Sequence, residues 1–192
     1  MSTHQASEQM LGYLYQVRYA LSLLLNNDNE NHQISIERFD DVAFSQDDTP
    51  KQMIQLKHHV RQHGNLSDAS TDIWRTLKVW IDAISIDESL LTDTEFLIIT
   101  TSKAPEDSAA SLLKSSDRNV DLAYLKLKHV VNSSDNKEHK TYYKAFSNLD
   151  EDPIWLNEAK GIQLKRVTIY GISNAQAIHE KKDKDGNFIL DG

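Results

Sequence analysis

The run Glu95-Phe96-Leu97-Ile98-Ile99-Thr100-Thr101 constrains this chain more than any other. Its apolar residues are consecutive rather than alternating, so as a strand it presents apolar side chains on both faces, and both must be covered. Helices on each side of a sheet meet that demand, which predicts an α/β domain. The flanking patterns supply the helices. From Glu8 to Leu25 the residues Met10, Leu11, Leu14, Val17, Leu21, Leu24 and Leu25 recur at helical spacing, and Asn26 to Asn31 then breaks the pattern. Ile73, Leu77, Trp80, Ile81 and Ile84 share the face of a second helix, for which Ser67 offers a capping hydroxyl.

Between these helices, Gln33 to Phe44 reads as a strand or a bent strand pair, and Ser45 to Pro50 has turn chemistry. Gln52 to His58 then reads as a second strand, which completes a hairpin. Beyond the apolar strand, Ala109–Leu113 and Leu122–Val131 are expected to be helical and Gln163–Ile172 extended. No internal repeat or low-complexity linker divides residues 1–192, so one domain is expected.

Composition narrows the function classes. With 39% hydrophobic and 26% charged residues the chain is an ordinary globular protein. It has no cysteine, so any metal must be held by oxygen or imidazole. The first residues lack the pattern of a signal peptide, and no apolar run approaches the length of a membrane span. A cytoplasmic protein without membrane contact is expected. A net charge of −8 argues against indiscriminate coating of nucleic acid, though basic residues can still cluster locally.

The chemistry concentrates in the hairpin. A period of two puts Gln55 and Lys57 on one face of their strand, while Ile54 and Leu56 point to the other. By the same rule Glu37, Phe39 and Asp41 share a face, so strand pairing is expected to gather Glu37, Asp41, Gln55 and Lys57. Phosphodiester hydrolysis needs such an inventory: hard oxygen ligands for a cation, and a positive group against developing charge. Asp41 and Gln55, with Glu37, are the candidate metal ligands, and Mg²⁺ (with Mn²⁺ able to substitute) suits them better than Zn²⁺. Asp40 leaves the aspartate assignment open by one residue. Parity favours Asp41, and a bulge would favour Asp40.

An acid on one strand followed by Gln-x-Lys on the next resembles a PD-(D/E)xK motif with Gln in place of the second acid. The wider pattern is Gly12-Tyr13-Leu14-Tyr15-Gln16, Glu37-x-x-Asp40-Asp41, Gln55-Leu56-Lys57-His58-His59 and Trp74-x-x-Leu77. It is similar to the double-stranded DNA endonuclease domains of bacterial anti-phage effectors. These include CBASS effector nucleases and, as the closer match, the nuclease subunit of Lamassu systems.

The resemblance covers roughly the first half of the chain. It implies a three-layer restriction-endonuclease-like domain with a mixed central sheet flanked by helices, often the N-terminal module of a longer chain. It also implies metal-dependent cleavage of double-stranded DNA, with Asp41, Gln55 and Lys57 catalytic and Gln16 facing the site. The partners implied are an SMC-like ATPase with an accessory subunit, and further copies of the chain when active.

Other motifs carry less. His59 and His63 stand four apart, but no HExxH pattern surrounds them, and His58, His59 and Arg61 more simply form a basic rim for DNA phosphate. Trp74, Trp80 and Trp155 read as core or interface residues. Asp183, Asp185 and Asn187 alternate as in a calcium loop, yet Phe188 stands where that loop needs glycine.

Overall fold

The computed structural model describes residues 3–26, 31–58, 64–116, 118–148, 164 and 166–171. These residues form a three-layer α/β arrangement around a five-stranded mixed sheet of order β1-β2-β3-β4-β5. The elements in chain order are α1 (Thr3–Leu25), β1 (His32–Ile36), β2 (Val42–Gln46), β3 (Thr49–Lys57), α2 (Thr71–Ile86), α3 (Leu90–Asp93), β4 (Glu95–Thr100), α4 (Ala109–Leu112), α5 (Val120–Ser133), α6 (Lys140–Asn148) and β5 (Val167–Gly171).

The first three strands are an antiparallel meander, and β4 and β5 run parallel to β3. Asp47 and Asp48, at φ 51° and 61°, make the two-residue turn between β2 and β3. Positive φ at both central positions is the requirement of a type I′ hairpin turn, and aspartate tolerates it better than most residues. The parallel step from β3 to β4 needs a crossover, which α2 supplies.

Strand β4 is buried on both faces, as its unbroken apolar run requires. Phe96 and Ile98 join Met53, Trp74, Trp80, Leu127, Phe146 and Ile169 in one cluster beneath α2, α4, α5 and α6. Leu97 and Ile99 join Val42, Ile54, Leu56 and Ala20 in a second cluster beneath α1. The sheet is therefore sandwiched, and among the described residues α1 is the one helix on its second face.

Three details differ from the sequence pattern. α2 begins at Thr71 rather than near Ser67, with Ser70 at its N-cap and no side-chain capping bond. α6, which the pattern did not suggest, buries only Tyr143 and Phe146 and meets the edge of Trp74 with both rings. His139 ties it further to α2 through Thr71 Oγ1, 2.9 Å from its Nε2.

The third concerns α1. The stripe that marks it as a helix does not face the sheet: Tyr15, Tyr19, Ala20 and Leu23 do, while Met10, Leu14, Leu21, Leu24 and Leu25 are exposed. No helix among the described residues is long and apolar enough to cross a membrane.

Candidate active site

The β1–β2 connection and the C-terminal half of β3 meet over the middle of α2. Residues 37–41 are not strand but a bend, in which Glu37 adopts φ 58° and donates its N–H to the carbonyl of Asp41 at 3.2 Å. The chain thus leaves the β period before it reaches the two aspartates. Parity counted from Glu37 consequently does not choose between them, because successive side chains alternate only while the backbone stays extended.

On β3 the alternation holds. Ile54 and Leu56 sink into the α1 side, and Met53 and Gln55 into the α2 side. Gln55 is 6% exposed, and its amide is oriented by its partners. Nε2 donates to Asp40 Oδ1, and Oε1 accepts from Lys57 Nζ at 2.5 Å and from Thr76 Oγ1 at 3.4 Å.

Asp40, also 6% exposed, accepts two further bonds, from the Asp41 N–H at 3.0 Å and from the indole Nε1 of Trp80 at 2.5 Å. Asp41 is less buried and accepts the N–H of Leu56 at 2.8 Å. A carboxylate–amide–ammonium chain, Asp40–Gln55–Lys57, results, with Asp41 beside it.

Burial sets the electrostatics. It carries the Asp40 carboxyl from its ordinary 3.8 up to about 6, with the charge of Asp41 adding to it, against the hydrogen bonds from Trp80 and Gln55. The same desolvation raises Asp41, while the Leu56 amide bond and the Lys57 charge pull it back. Two carboxylates are thus held in a poorly solvated corner with one ammonium group nearby. Such a corner gains from an additional cation.

The corner opens into a pocket of about 370 Å³ lined by Glu37, Asp40, Asp41, Gln55, Lys57 and, at the rim, Arg38, Phe39, Arg75 and Val79. Glu37, Asp41, Gln55 and Lys57 are therefore brought to one cavity. Gln16 is not among its lining residues. It lies one turn before Ala20, on the side of α1 that packs against Ile54 and Leu56, and its Oε1 is buried without a hydrogen-bond partner. His58 stacks on Tyr15 of α1 at 4.6 Å and 16°; His59 and Arg61 lie outside the described residues, as do His63, Trp155 and Asp183 to Asn187.

The chain matches no family model, no curated protein and no solved structure.

Trp80, Arg75 and Arg38 escaped the sequence pattern as site residues. Trp80 was read for the core, and it is there, but its indole N–H also holds Asp40. The available signal was that a buried indole needs an acceptor and that Thr76 and Trp80, four apart, turn to the same side as Gln55. Arg75, exposed at the pocket rim, carried no pattern of its own.

Among the described residues no group of three or more His, Asp or Glu side chains is placed to hold a metal ion. The donor set is instead mixed: carboxylate oxygen from Asp41, the amide oxygen of Gln55, and the Glu37 carboxylate in the same pocket. These are hard ligands without sulfur or converging imidazole, and the under-compensated charge around Asp40 and Asp41 adds an electrostatic demand. They are the donor type that a hard cation such as Mg²⁺ takes, with the Gln55 oxygen already accepting from the Lys57 ammonium.

Proposed function

We propose that this chain is a metal-dependent endonuclease that hydrolyses phosphodiester bonds of double-stranded DNA in defence against phage or plasmid. The observation that carries the reading is the Asp40–Gln55–Lys57 chain with Asp41 beside it, facing one open polar pocket. It lies on a helix, three-strand meander, helix, strand order, and the resemblance to anti-phage nucleases rests on the same residues.

Asp41 and the Gln55 oxygen, with Glu37, would hold Mg²⁺ or Mn²⁺. When bound, the ion supplies charge to polarise a phosphate and to make a water more acidic. The chain's own residues do the positioning. By accepting the Gln55 amide N–H, Asp40 turns the amide oxygen toward Lys57, and Trp80 holds Asp40 in turn. The Lys57 ammonium then stands where it can orient the attacking water and offset charge on the phosphate. Arg75 and Arg38 at the rim would give a DNA strand two cationic contacts, whereas His58 does not line the pocket and stacks on Tyr15 of α1, on the other face of the sheet, so it is withdrawn from the expected phosphate rim.

A nuclease must be restrained in its own host, which supports control by an SMC-like ATPase, an accessory subunit or assembly into a homo-oligomer.

A second reading is a nuclease-shaped module that binds DNA ends or a partner without cutting. Lys57 being engaged with Gln55, which stands where the wider motif has an acid, favours it. Plasmid cleavage at rising protein concentration, in Mg²⁺ or EDTA, separates the two. The nuclease reading expects cutting in Mg²⁺ alone, and a loss of roughly 100-fold or more in Lys57→Ala with unchanged thermal unfolding. Full activity in a folded Lys57→Ala protein would sink the assignment. DNA binding indifferent to EDTA, with no cutting, would establish the second reading.

A further inference from the structure

α1 carries two apolar faces, and only one is covered by the sheet. On the other, Met10, Leu14, Leu21, Leu24 and Leu25 stand 50% to 73% exposed. Together with the half-buried Val17, the positions 10, 14, 17, 21 and 24 follow alternating steps of four and three. That is the spacing of a coiled-coil seam, in which each side chain enters a hole on a facing helix. The seam has no charged member, and between Met10 and Leu25 the helix carries one charge, Arg18.

At on the order of 100 Å² for each of the seven large apolar side chains exposed on α1, the face offers roughly 700 Å². The largest apolar patch on a monomer is usually about 300–600 Å², and a stable interface takes about 800 Å² from each partner.

We propose that this face of α1 docks on the same face of α1 in a second copy of the chain. A seam of this spacing needs another of the same spacing, and a two-fold axis provides it with no charged residue in the seam itself. A lipid surface fits less well. Helices that lie on membranes bear several Lys and Arg on their polar side, whereas this one has a single Arg on a chain of net charge −8. The inner side of α1 is held to β3 by Tyr15, which stacks on His58, so the outer face is left for the second copy. The pairing names a surface for the assembly invoked above, and so deepens that reading, but it is read from mass rather than from cleavage.

Light scattering after gel filtration, at rising concentration, tests it on wild type, Leu14→Glu/Leu21→Glu and Leu125→Glu. Leu125 is an equally exposed leucine on α5. Wild type and Leu125→Glu should approach twice the chain mass, and the double variant should stay at one chain mass with unchanged circular dichroism. The chain has no cysteine, so Val17→Cys should give a disulfide-linked dimer on mild oxidation and Leu125→Cys should not, which decides the matter if the double variant unfolds. A single-chain wild type at every concentration, a dimeric folded double variant, or equal cross-linking at the two cysteines overturns the proposal. A dimer that cuts no DNA leaves it standing and counts only against self-assembly as the trigger for cleavage.

Discussion

The two faces of the sheet are built to different depths. Beneath α2, α4, α5 and α6 lie two tryptophans, three other aromatic rings and a run of aliphatic side chains, nearly all inaccessible. Between α1 and the sheet the buried members are six aliphatic residues, edged by half-buried tyrosines. The deep face also holds the polar chain of Asp40, Gln55 and Lys57 at its margin. A site that buries carboxylates needs rigid walls, and Trp80 serves as both wall and donor. The shallow face has the opposite character, with a helix as apolar outside as inside.

Core truncations on the two faces test that contrast most directly. Trp74 is fully buried and its indole N–H bonds the carbonyl of Asp68. Trp74→Ala should therefore cost about 3–5 kcal/mol. Leu23→Ala, on the half-buried margin of the α1 side, should cost about 1–2 kcal/mol. Urea unfolding of both proteins measures the difference, and equal losses would mean that the two faces are equally deep.

The next effect is a pH dependence confined to the deep face. Asp40 has a folded-state value raised from 3.8 to about 6, so it holds its proton more tightly when folded. In EDTA its stabilising contribution should be complete below about pH 3.8 and vanish as pH rises through about 6. That span corresponds to at most about 3 kcal/mol. Asp40→Asn cannot titrate, so the stability of wild type relative to this variant should decline across the window. Parallel curves for the two would show that Asp40 is solvated in solution.

The mildest effect expected is that of Gln55→Glu, and its sign depends on metal. The new carboxylate would face Asp40, from which Gln55 now differs by donating an N–H. Without metal the two acids must share a proton or repel, which should lower stability by about 1–3 kcal/mol. Mg²⁺ should restore much of that loss and bind more tightly than to wild type. A melting temperature of Gln55→Glu that ignores Mg²⁺ would remove Gln55 from the ligand set.

What the sequence made legible follows where local pattern and packing agree. The unbroken run of β4 announced burial on two sides, and the period of β3 placed Gln55 and Lys57 together, because both strands keep an extended backbone to their ends. Asp40 and Asp41 resisted because Glu37 turns left-handed and breaks the count. α6 was silent because it is short and polar on average, with only two buried aromatic anchors, and its place is decided by Trp74 and His139. The stripe of α1 identified a helix correctly but not its orientation. When both sides of a helix are apolar, periodicity cannot say which one the sheet covers.

The ladder around β3 has a further consequence. Its antiparallel pairing with β2 shifts register between Phe44 and Ser45, and its parallel pairing with β4 sets Gln55 against Ile98 and Lys57 against Thr100. Thr100 Oγ1 also donates to the Lys57 carbonyl at 3.1 Å. Were β3 to slide by one residue, Ile54 and Leu56 would be thrust into the cavity, and the amide and ammonium would be entombed beneath tyrosines. The hydrogen bonds that align three strands therefore act as an address, and the reagents arrive at the cavity only when it is read without an offset.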